Sequence, residues 1–507
     1  MSRLRETQSS VTTRRADVVF IALAVGALGI RVHALRRFDA PPGFDGGDWL
    51  ALGRGLFGRD TRPQGIAAAP VVPLITSGVT ALVGPSHAFV ALGGLMSIAP
   101  GIGVYVALRR LASPLAVALV AGLLLASASV GEAAAWGGYP QLLGLGLLPI
   151  VLVFVAQGAK HPRRSWLAGV GLLAIALTSD FVFAIAAASS ILLLVLDWLL
   201  DRHPLKVLVG RVVRLTLPVV LATPLYVQIG LARLNAVRQP VQLLSAKPAG
   251  LASRIDAVWF DARLVWRALA ILAIVGLPFL THRRSDSHWR IALALCAVVA
   301  AALFAFPEPR IAYFVPTAVV VGVLLWSDEF PSIRGVSIFA VGLAACVVLQ
   351  FAAVKSTSTR QVRRYQALTP ALVRGIDWVR TSTPKSSVLV VTPYREAPPV
   401  GWWLEGLGER RTLSASSFEW IYFSSERENA RRAARVLAAG VPTERTLNLA
   451  KRFGADFVFI DKRWNEYKVG RVTNLERAFA SVVAYENSGV VILRTDIGSA
   501  KQPEMDK

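Results

Sequence analysis

Long uninterrupted apolar runs constrain the fold of this chain more than any other feature of its sequence. The runs near residues 17–35, 87–108, 141–157 and 336–354 approach the roughly 20 residues with which a helix crosses about 30 Å of hydrocarbon. Of the 507 residues, 54% are hydrophobic, the mean hydropathy is +0.52, and the runs lack the period-two alternation of barrel strands. We therefore predict a polytopic α-helical membrane protein.

Clusters of basic residues orient these helices. There are four of them: Arg109/Arg110, Lys160/Arg163/Arg164, Arg202/Lys206/Arg211/Arg214 and Arg283/Arg284. All four are cytoplasmic if the N-terminal tail, residues 1–16, is cytoplasmic and the proline-interrupted run 67–84 is an interfacial or re-entrant element. Further apolar runs lie near 113–130, 166–200, 215–233, 263–281, 290–306 and 311–327. This arrangement predicts about eleven crossings in a transmembrane region over 17–354, and a multi-pass location in the cell membrane.

The formal net charge of +23 raises the question of an acidic partner. Most basic residues lie in short loops between apolar runs or in the polar C-terminal region. Orientation of the helices and contact with anionic lipid explain the loop residues. Because the sequence has no basic groove interleaved with aromatic residues, we predict the lipid bilayer as a partner and no nucleic acid.

With this orientation, the polar segments suited to chemistry face outward. They are the first outer loop at 36–66, "GEAAAWGGYPQ" at 131–141, "TSD" at 178–180, the loop at 234–262 and "PEPR" at 307–310. The chain after about 355 is also outside. There, strand patterns at 386–393, 455–461 and 482–495, the last around an Asn-Ser-Gly turn, alternate with helix-like segments. We predict an extracytoplasmic α/β domain over 355–496 and a disordered tail over 497–507.

The first outer loop opens with "RRFDAPPGFDGGDWLALGRGLFGRD" (36–60), which begins with two arginines and contains a Pro-Pro-Gly break and four aspartates. Within this segment, residue classes recur in a fixed order. An acid is followed by an aromatic residue, then by a small residue and an arginine, and then by two apolar residues and a glycine. These residues are Asp45, Trp49, Gly53, Arg54, Leu56, Phe57 and Gly58. This spacing resembles the first outer loop of the protein-mannosyltransferase and aminoarabinose-transferase branch of the GT-C superfamily. "APVVPLITSGVTALVG" is similar to the Pro-rich helix that follows in that branch. The resemblance covers roughly residues 15–200, and the later helices match by architecture.

The resemblance implies a GT-C glycosyltransferase of the cell envelope. Such an enzyme moves a hexosyl or pentosyl group from a polyprenyl-phosphate sugar donor to an extracytoplasmic acceptor, which is a glycolipid, a cell-wall polysaccharide or a protein. Two departures stand out. Glu132 comes earlier than the second acid of the family pattern, and "GWWLEG" at 401–406 is similar to the Trp-Trp-Asp motif of oligosaccharyltransferases but lacks its Asp.

Sugar transfer from a lipid phosphate needs a carboxylate that takes the proton of the acceptor hydroxyl. Following the resemblance, Asp45 is the first candidate for this base, and Asp48 is the second candidate or its partner. The alternative interpretation is that one or both aspartates cap the helix that starts near Trp49.

The leaving phosphate needs positive charge nearby. Arg36 and Arg37 are candidates for holding it, with the alternative that they are snorkelling arginines at a helix end. Arg310, in an outer turn between two apolar runs, is a further phosphate candidate. The alternative for Arg310 is a salt bridge to Glu308.

Three further residues are candidates for substrate binding. Glu132 and Asp180 lie at the outer ends of apolar runs, where an acid is a functional candidate by default. Asp180 also suits capping a helix that begins at Phe181. Tyr139, like Trp136, suits stacking on a sugar ring, although aromatic residues collect at any membrane interface.

The cofactor and the competing functions stay open at this point. A divalent cation such as Mg²⁺ or Mn²⁺ would have to be held by carboxylates and water, because the chain has no HExxH or CxxC motif. The main alternative function is a lipid-linked-sugar flippase or membrane transporter, and a third is a scaffold that recruits partners. The absence of an inverted repeat argues against a transporter.

Overall fold

The computed structural model describes residues 2–57, 68–228, 288–305, 309–327, 333–391, 400–415, 424–437, 444–463 and 482–496. These residues form two compact units. The helical unit lies within Met1–Leu35, Ala91–Pro224 and Leu244–Arg363, and the mixed unit lies within Arg36–Val90, Leu225–Leu243 and Arg364–Lys507. The predicted outer loop 234–262, the predicted helix 263–281 and the predicted tail 497–507 lie outside the described residues.

Most of the described chain is α-helical. The helices are α1 (Ser2–Leu35), α2 (Gly46–Leu56), α3 (Val71–Val83), α4 (Pro85–Leu108), α5 (Pro114–Leu125), α6 (Ala128–Trp136), α7 (Tyr139–Gln157), α8 (Pro162–Thr178), α9 (Asp180–Asp201), α10 (Leu205–Val220), α11 (His288–Ala305), α12 (Phe314–Ser327), α13 (Ile333–Arg364), α14 (Pro370–Ser382), α15 (Val400–Gly406), α16 (Ser424–Leu437) and α17 (Glu444–Arg452). A 3₁₀ helix over Pro309–Tyr313 precedes α12.

Several of these helices are long and apolar enough to cross a bilayer. In the described part of the chain they are Thr13–Leu35, Pro85–Leu108, Tyr139–Gln157, Asp180–Asp201 and Val341–Arg364. The bent pair α5 and α6 makes a sixth if it is counted as one span. The protein is therefore a multi-pass membrane protein, while the number of eleven crossings stays a prediction.

Close approach of helix backbones shapes the helical unit. A Cβ atom placed on Gly103 of α4 would lie 1.8 Å from the carbonyl oxygen of Gly146 in α7, and one on Gly101 would lie 2.5 Å from the side chain of Leu125. Small residues allow such contacts, which supply van der Waals packing where lipid removes the hydrophobic driving force. The "GIG" segment at 101–103 is thus a packing motif.

Two predicted boundaries in the helical unit are wrong. The segment 131–141, predicted as an outer loop, contains most of α6, because Ser127 caps that helix by accepting from the backbone N–H of Val130 at 3.2 Å. Gly137 ends the helix with φ +98°. The helix predicted near 215–233 begins ten residues earlier, since α10 starts at Leu205.

Arg211, predicted as part of a basic loop, is instead buried in an ion-pair network. Its Nη2 donates to Asp197 at 2.8 Å, and Arg290 donates to Asp197 at 3.0 Å. Arg290 also donates to both carboxylate oxygens of Asp201 at 2.6 Å. These four residues, named here the Asp197 cluster, bring together α9, α10 and α11. The prediction failed because the ends of α9 and α11 lie far apart in sequence.

A mixed five-stranded sheet forms the centre of the mixed unit. Its strands are β1 (Val388–Val390), β2 (Arg411–Thr412), β3 (Phe457–Asp461), β4 (Val483–Glu486) and β5 (Val490–Arg494), in the order β2-β1-β3-β5-β4. β1 pairs in parallel with β2 and β3, whereas β5 pairs antiparallel with β3 and β4. At the predicted Asn-Ser-Gly turn, Asn487 Oδ1 accepts from the backbone N–H groups of Gly489 and Val490.

Alternation along the strands places helices on both faces of the sheet. Val458 and Ile460 of β3 join the apolar cluster that also contains Val436 of α16 and Leu447 of α17. On the other face, the ring of Phe457 meets Trp378 of α14. This arrangement buries both faces of the sheet within the mixed unit.

Candidate active site

The loop that follows α1 is held in place by the segment before α14. Gln366 Nε2 donates to the carbonyl oxygen of Pro41 at 3.2 Å. The ring of Phe44 meets that of Tyr365 edge-on at 5.3 Å. Gly43 adopts φ +97°, in the left-handed region that favours glycine. The Pro-Pro-Gly break therefore forms an ordered turn that leads directly to the candidate bases.

Both candidate bases lie at the N-terminus of α2. Asp45 occupies the N-cap position and Asp48 lies in the first turn, and both are half-buried. The helix begins at Gly46, three residues before the predicted start near Trp49. The Asp45 backbone is already helical, and its side chain accepts no N-cap hydrogen bond, so Asp45 does not cap α2 through its side chain. Two carboxylates thus lie at the end of the helix dipole that attracts anions.

Helix α2 packs against α15 with almost no space between the two backbones. A Cβ on Gly47 would lie 2.6 Å from the carbonyl carbon of Trp402, and one on Gly406 would lie 2.5 Å from the carbonyl oxygen of Gly47. A Cβ on Gly46 would lie 2.8 Å from the ring of Trp403. Because real Cβ contacts are longer, the two glycines that directly follow the candidate base are required by this packing.

Arg54, at the other end of α2, is part of the same contact. It donates to the carbonyl oxygen of Gly406 and forms an ion pair with Glu409 at 3.1 Å. The next residue, Arg410, is buried and donates to the backbone carbonyl and the hydroxyl of Thr383. Burial lowers the pKa of Arg410. The turn that pairs with Arg54 is therefore anchored to the end of α14.

The segment "GWWLEG" is the support for the candidate base that sequence reasoning missed. Trp403 is completely buried, and its ring meets Phe89 edge-on at 5.0 Å. Glu405, also buried, accepts from the Thr412 hydroxyl at 2.7 Å and so joins α15 to β2. A glycine at each end of this six-residue segment was the signal for close packing, but nothing local identified α2 as its partner.

Arg36 and Arg37 are exposed in the turn that directly follows α1. Their side chains are therefore accessible to solvent or lipid headgroups, as both the phosphate-binding and the snorkelling interpretations require. Their contact with a donor phosphate stays a prediction. They belong to the mixed unit, together with both candidate bases.

The remaining predicted site residues belong to the helical unit, where the 3₁₀ helix joins two other elements. The guanidinium of Arg310 lies 5.6 Å from the ring centroid of Phe181, at the start of α9. Trp136 Nε1 donates to the hydroxyl of Tyr313 at 3.1 Å. The 3₁₀ helix thus brings Arg310 to the start of α9 and Tyr313 to the end of α6, the helix that carries Glu132.

Asp180 and Glu132 occupy different local positions from those predicted. Asp180 is the first residue of α9, and the cap is Ser179, whose hydroxyl accepts from the backbone N–H of Val182 at 3.3 Å. The capping interpretation for Asp180 is therefore wrong. Glu132 is half-buried on α6 and not in an open loop. Glu308, the alternative partner of Arg310, lies outside the described residues.

Tyr139 is buried, with 1% of its surface exposed, and its stacking on a sugar ring stays a prediction. It is the first residue of α7 and directly follows the turn at 137–138. Its hydroxyl packs near α4, since a Cβ on Gly93 would lie 3.5 Å from it. The turn between α6 and α7 directs this aromatic ring into the helical unit.

The described residues contain no group of three His, Cys, Asp or Glu side chains that could hold a metal ion. Asp45 and Asp48 alone would leave most of the coordination positions of Mg²⁺ to water or substrate.

Comparison with known proteins identifies the architecture. No protein-family model and no curated protein sequence matches the chain. The crystal structure of ArnT from Cupriavidus metallidurans matches with a TM-score of 0.58 and 14% identity, over 96% of this chain and 99% of that chain. The structure of the same protein bound to undecaprenyl phosphate gives the same values. The chain has the GT-C fold.

Two other GT-C structures agree. The oligosaccharyltransferase of Archaeoglobus fulgidus matches with a TM-score of 0.56 and 13% identity, over 93% of this chain and 72% of that one. The mycobacterial arabinofuranosyltransferase AftD matches at 0.54 and 16%, over 87% of this chain but only 36% of its own. The GT-C resemblance read from the first outer loop is confirmed at the level of the fold.

Proposed function

We propose that this GT-C protein is a glycosyltransferase that moves a sugar from a polyprenyl-phosphate donor to an extracytoplasmic acceptor, with Asp45 as the general base. The observation that carries the proposal is the placement of Asp45. Its carboxylate is not used as a helix cap, and the glycines that follow it dock α2 onto α15. The ArnT structure bound to undecaprenyl phosphate supports the donor class.

In the proposed reaction, the acceptor hydroxyl attacks the anomeric carbon of the donor sugar. The bond between that carbon and the phosphate oxygen breaks, and its electron pair leaves with the polyprenyl phosphate. Asp45 takes the proton of the acceptor hydroxyl. Arg36 and Arg37 stabilise the charge that develops on the leaving phosphate. Asp48, in the first turn of the same helix, assists Asp45 or replaces it as the base.

The mixed unit gives this chemistry a rigid support. A general base works when it is held within hydrogen-bond reach of the proton it abstracts. The Gly47 contact and the Arg54 ion pair hold α2 at both ends. The backbone position from which the Asp45 side chain extends is therefore fixed. In the proposed topology the C-terminal residues of this unit are extracytoplasmic and face the acceptor, which is a glycolipid, a wall polysaccharide or a protein.

Transfer of labelled sugar from a panel of polyprenyl-phosphate sugars tests the proposal, with purified protein in one lipid composition. Asp45→Asn keeps the size of the side chain but removes its basicity, and we expect transfer to fall at least about 100-fold. Asp39→Asn is the matched control, because Asp39 is an exposed carboxylate in the same loop. We expect this control to transfer sugar at the wild-type rate.

Two outcomes would contradict the proposal. One is full activity of a folded Asp45→Asn variant, which would exclude Asp45 as the base. The other is the appearance of labelled lipid on the opposite leaflet without sugar transfer from any donor, which would indicate a flippase.

A further inference from the structure

Arg31 is a buried cation inside the membrane-spanning part of α1. It lies within Thr13–Leu35 and is only 3% exposed. Its Nη1 donates to the hydroxyl of Ser358 at 3.0 Å, and its Nη2 donates to the carbonyl oxygens of Ser127 at 2.9 Å and Leu125 at 3.3 Å. Within the described chain all its partners are neutral oxygens. A buried ionisable side chain within a candidate spanning helix is costly and indicates a function.

The carbonyl oxygens belong to a break between α5 and α6, which are bent by 46°. The two neighbouring carbonyls are also satisfied by side chains: Gln350 donates to Ala126 at 3.2 Å, and Gln361 donates to Ala128 at 2.8 Å. A backbone carbonyl without a partner is strongly unfavourable in hydrocarbon. The negative end of the α5 dipole also favours a cation at this point. Arg31 and the two glutamines therefore stabilise the break.

The surroundings of Arg31 argue against a bound anion as the reason for its charge. The crevice beside the guanidinium is lined by Ser127, Gln350, Thr357 and other described residues, and it leaves no room for a water molecule. A phosphate group is larger than water. The hydrogen bonds to the break are thus the interactions that the structure assigns to Arg31.

Helix α6 passes directly over the guanidinium. A Cβ on Gly131 would lie 1.7 Å from Arg31 Nη1 and 2.6 Å from Gln361 Oε1. Any larger residue at this position has to displace both side chains. Gly131 therefore provides a means of moving Arg31 without changing its charge.

We propose that Arg31 is a positioning residue that sets the angle of α6. Through that angle it places Glu132, and through the hydrogen bond between Trp136 and Tyr313 it places the 3₁₀ helix that carries Arg310. The proposal rests on the proposed function in one respect, since it assigns these residues to the sugar-transfer site. The geometric part, control of α6 by Arg31, is independent of that function.

A distance measurement tests the geometric part without catalysis. Spin labels on Glu132→Cys in α6 and His161→Cys, an exposed position in the turn after α7, report the position of α6 in the full chain in lipid nanodiscs. Cys296 and Cys346 are replaced by serine in this background. A nine-residue helix is about 13 Å long, so a rotation of about 20° around one end moves its middle by about 2 Å.

Arg31→Gln removes the charge and the forked donor, and we expect it to shift or broaden the distance by about 2 Å or more. Gly131→Ala should produce the same change, because its Cβ displaces Arg31 and Gln361. Gly29→Ala is the matched control on α1, since a Cβ there meets nothing within 4 Å. We expect its distance to equal that of the wild type. Unchanged distances in both Arg31→Gln and Gly131→Ala would overturn the proposal.

The sugar-transfer assay then separates positioning from stability. We expect Arg31→Gln to lower kcat at least about tenfold per folded enzyme, because small displacements at a reacting centre cost this much or more. Arg31→Lys, which keeps the charge, should recover part of the loss. A lower folded fraction with unchanged kcat and distances would show a merely structural role and overturn the proposal. Shifted distances without any wild-type transfer would instead reject the proposed function and support positioning of α6.

Discussion

The helical unit contains two buried arginine sites that are stabilised in different ways. In the Asp197 cluster, Arg211 and Arg290 face the carboxylates of Asp197 and Asp201, so two positive and two negative charges lie together. At the second site, Arg31 contacts only neutral oxygens among the described residues. At the first site the charges of the arginines are compensated by carboxylates. At the second site a cation donates hydrogen bonds to backbone carbonyls at the break between α5 and α6.

The difference shows what each site requires of the chain. An ion-pair network can join helices wherever their side chains meet, and its members depend on one another because losing one leaves an uncompensated charge. A cation at the end of a helix depends on the break that exposes the carbonyls. Removing Arg31 should therefore change the local direction of the chain, whereas removing a member of the Asp197 cluster should mainly lower stability.

The largest loss of stability is expected for Asp197→Ala. Asp197 is 1% exposed and bonds to both arginines of the cluster, so its removal leaves Arg211 buried without a carboxylate partner among the described residues. Breaking a buried pair in this way costs about 3–5 kcal/mol. The free energy of unfolding, measured in one detergent for wild type and variant, checks the value. A cost below about 1 kcal/mol would show that the cluster does not join the helices.

The local features of the fold could be predicted from the sequence. Apolar runs located the spanning helices, strand patterns located β3 and β5, and the Asn-Ser-Gly segment located the turn at Asn487. These signals are short in range, because a helix or a turn depends on residues a few positions apart. The position of Asp45 near the start of a helix could be predicted for the same reason.

Long-range contacts could not be predicted. Arg54 and Gly406 are separated by 352 residues, and Arg290 and Asp197 by 93, so neither pair leaves a pattern in any local window. The break before α6 was missed because the sequence there is small and apolar, like a continuous helix. It persists because Arg31, on a different helix, bonds to its carbonyls.

A smaller loss is expected for Arg31→Met than for Asp197→Ala. The substitution removes Arg31 as the donor to the Leu125 carbonyl and the Ser358 hydroxyl, whereas the Ser127 carbonyl still accepts from the backbone N–H of Gly131 at 3.2 Å. A buried acceptor without a donor costs about 1–3 kcal/mol, but the substitution also removes a desolvated charge. The same unfolding measurement compares the two variants directly. If Arg31→Met proves as destabilising as Asp197→Ala, the distinction between a charge-compensated site and a carbonyl-satisfied site would have to be abandoned.

The smallest effect is expected for Asp201→Asn, which tests whether burial controls the energetics within the Asp197 cluster. The side chain of Asp201 is 38% exposed and that of Asp197 is 2% exposed, although both bond to Arg290. Solvent screens the exposed pair, so we expect its loss to cost less than about 1 kcal/mol. Asp197→Asn makes the same chemical change at the buried position and is the matched control. Each carboxylate accepts two hydrogen bonds from the arginines of the cluster. Because water can replace the lost interaction only at Asp201, equal costs for the two variants would show that the number of these hydrogen bonds, and not burial, determines the stability of the cluster.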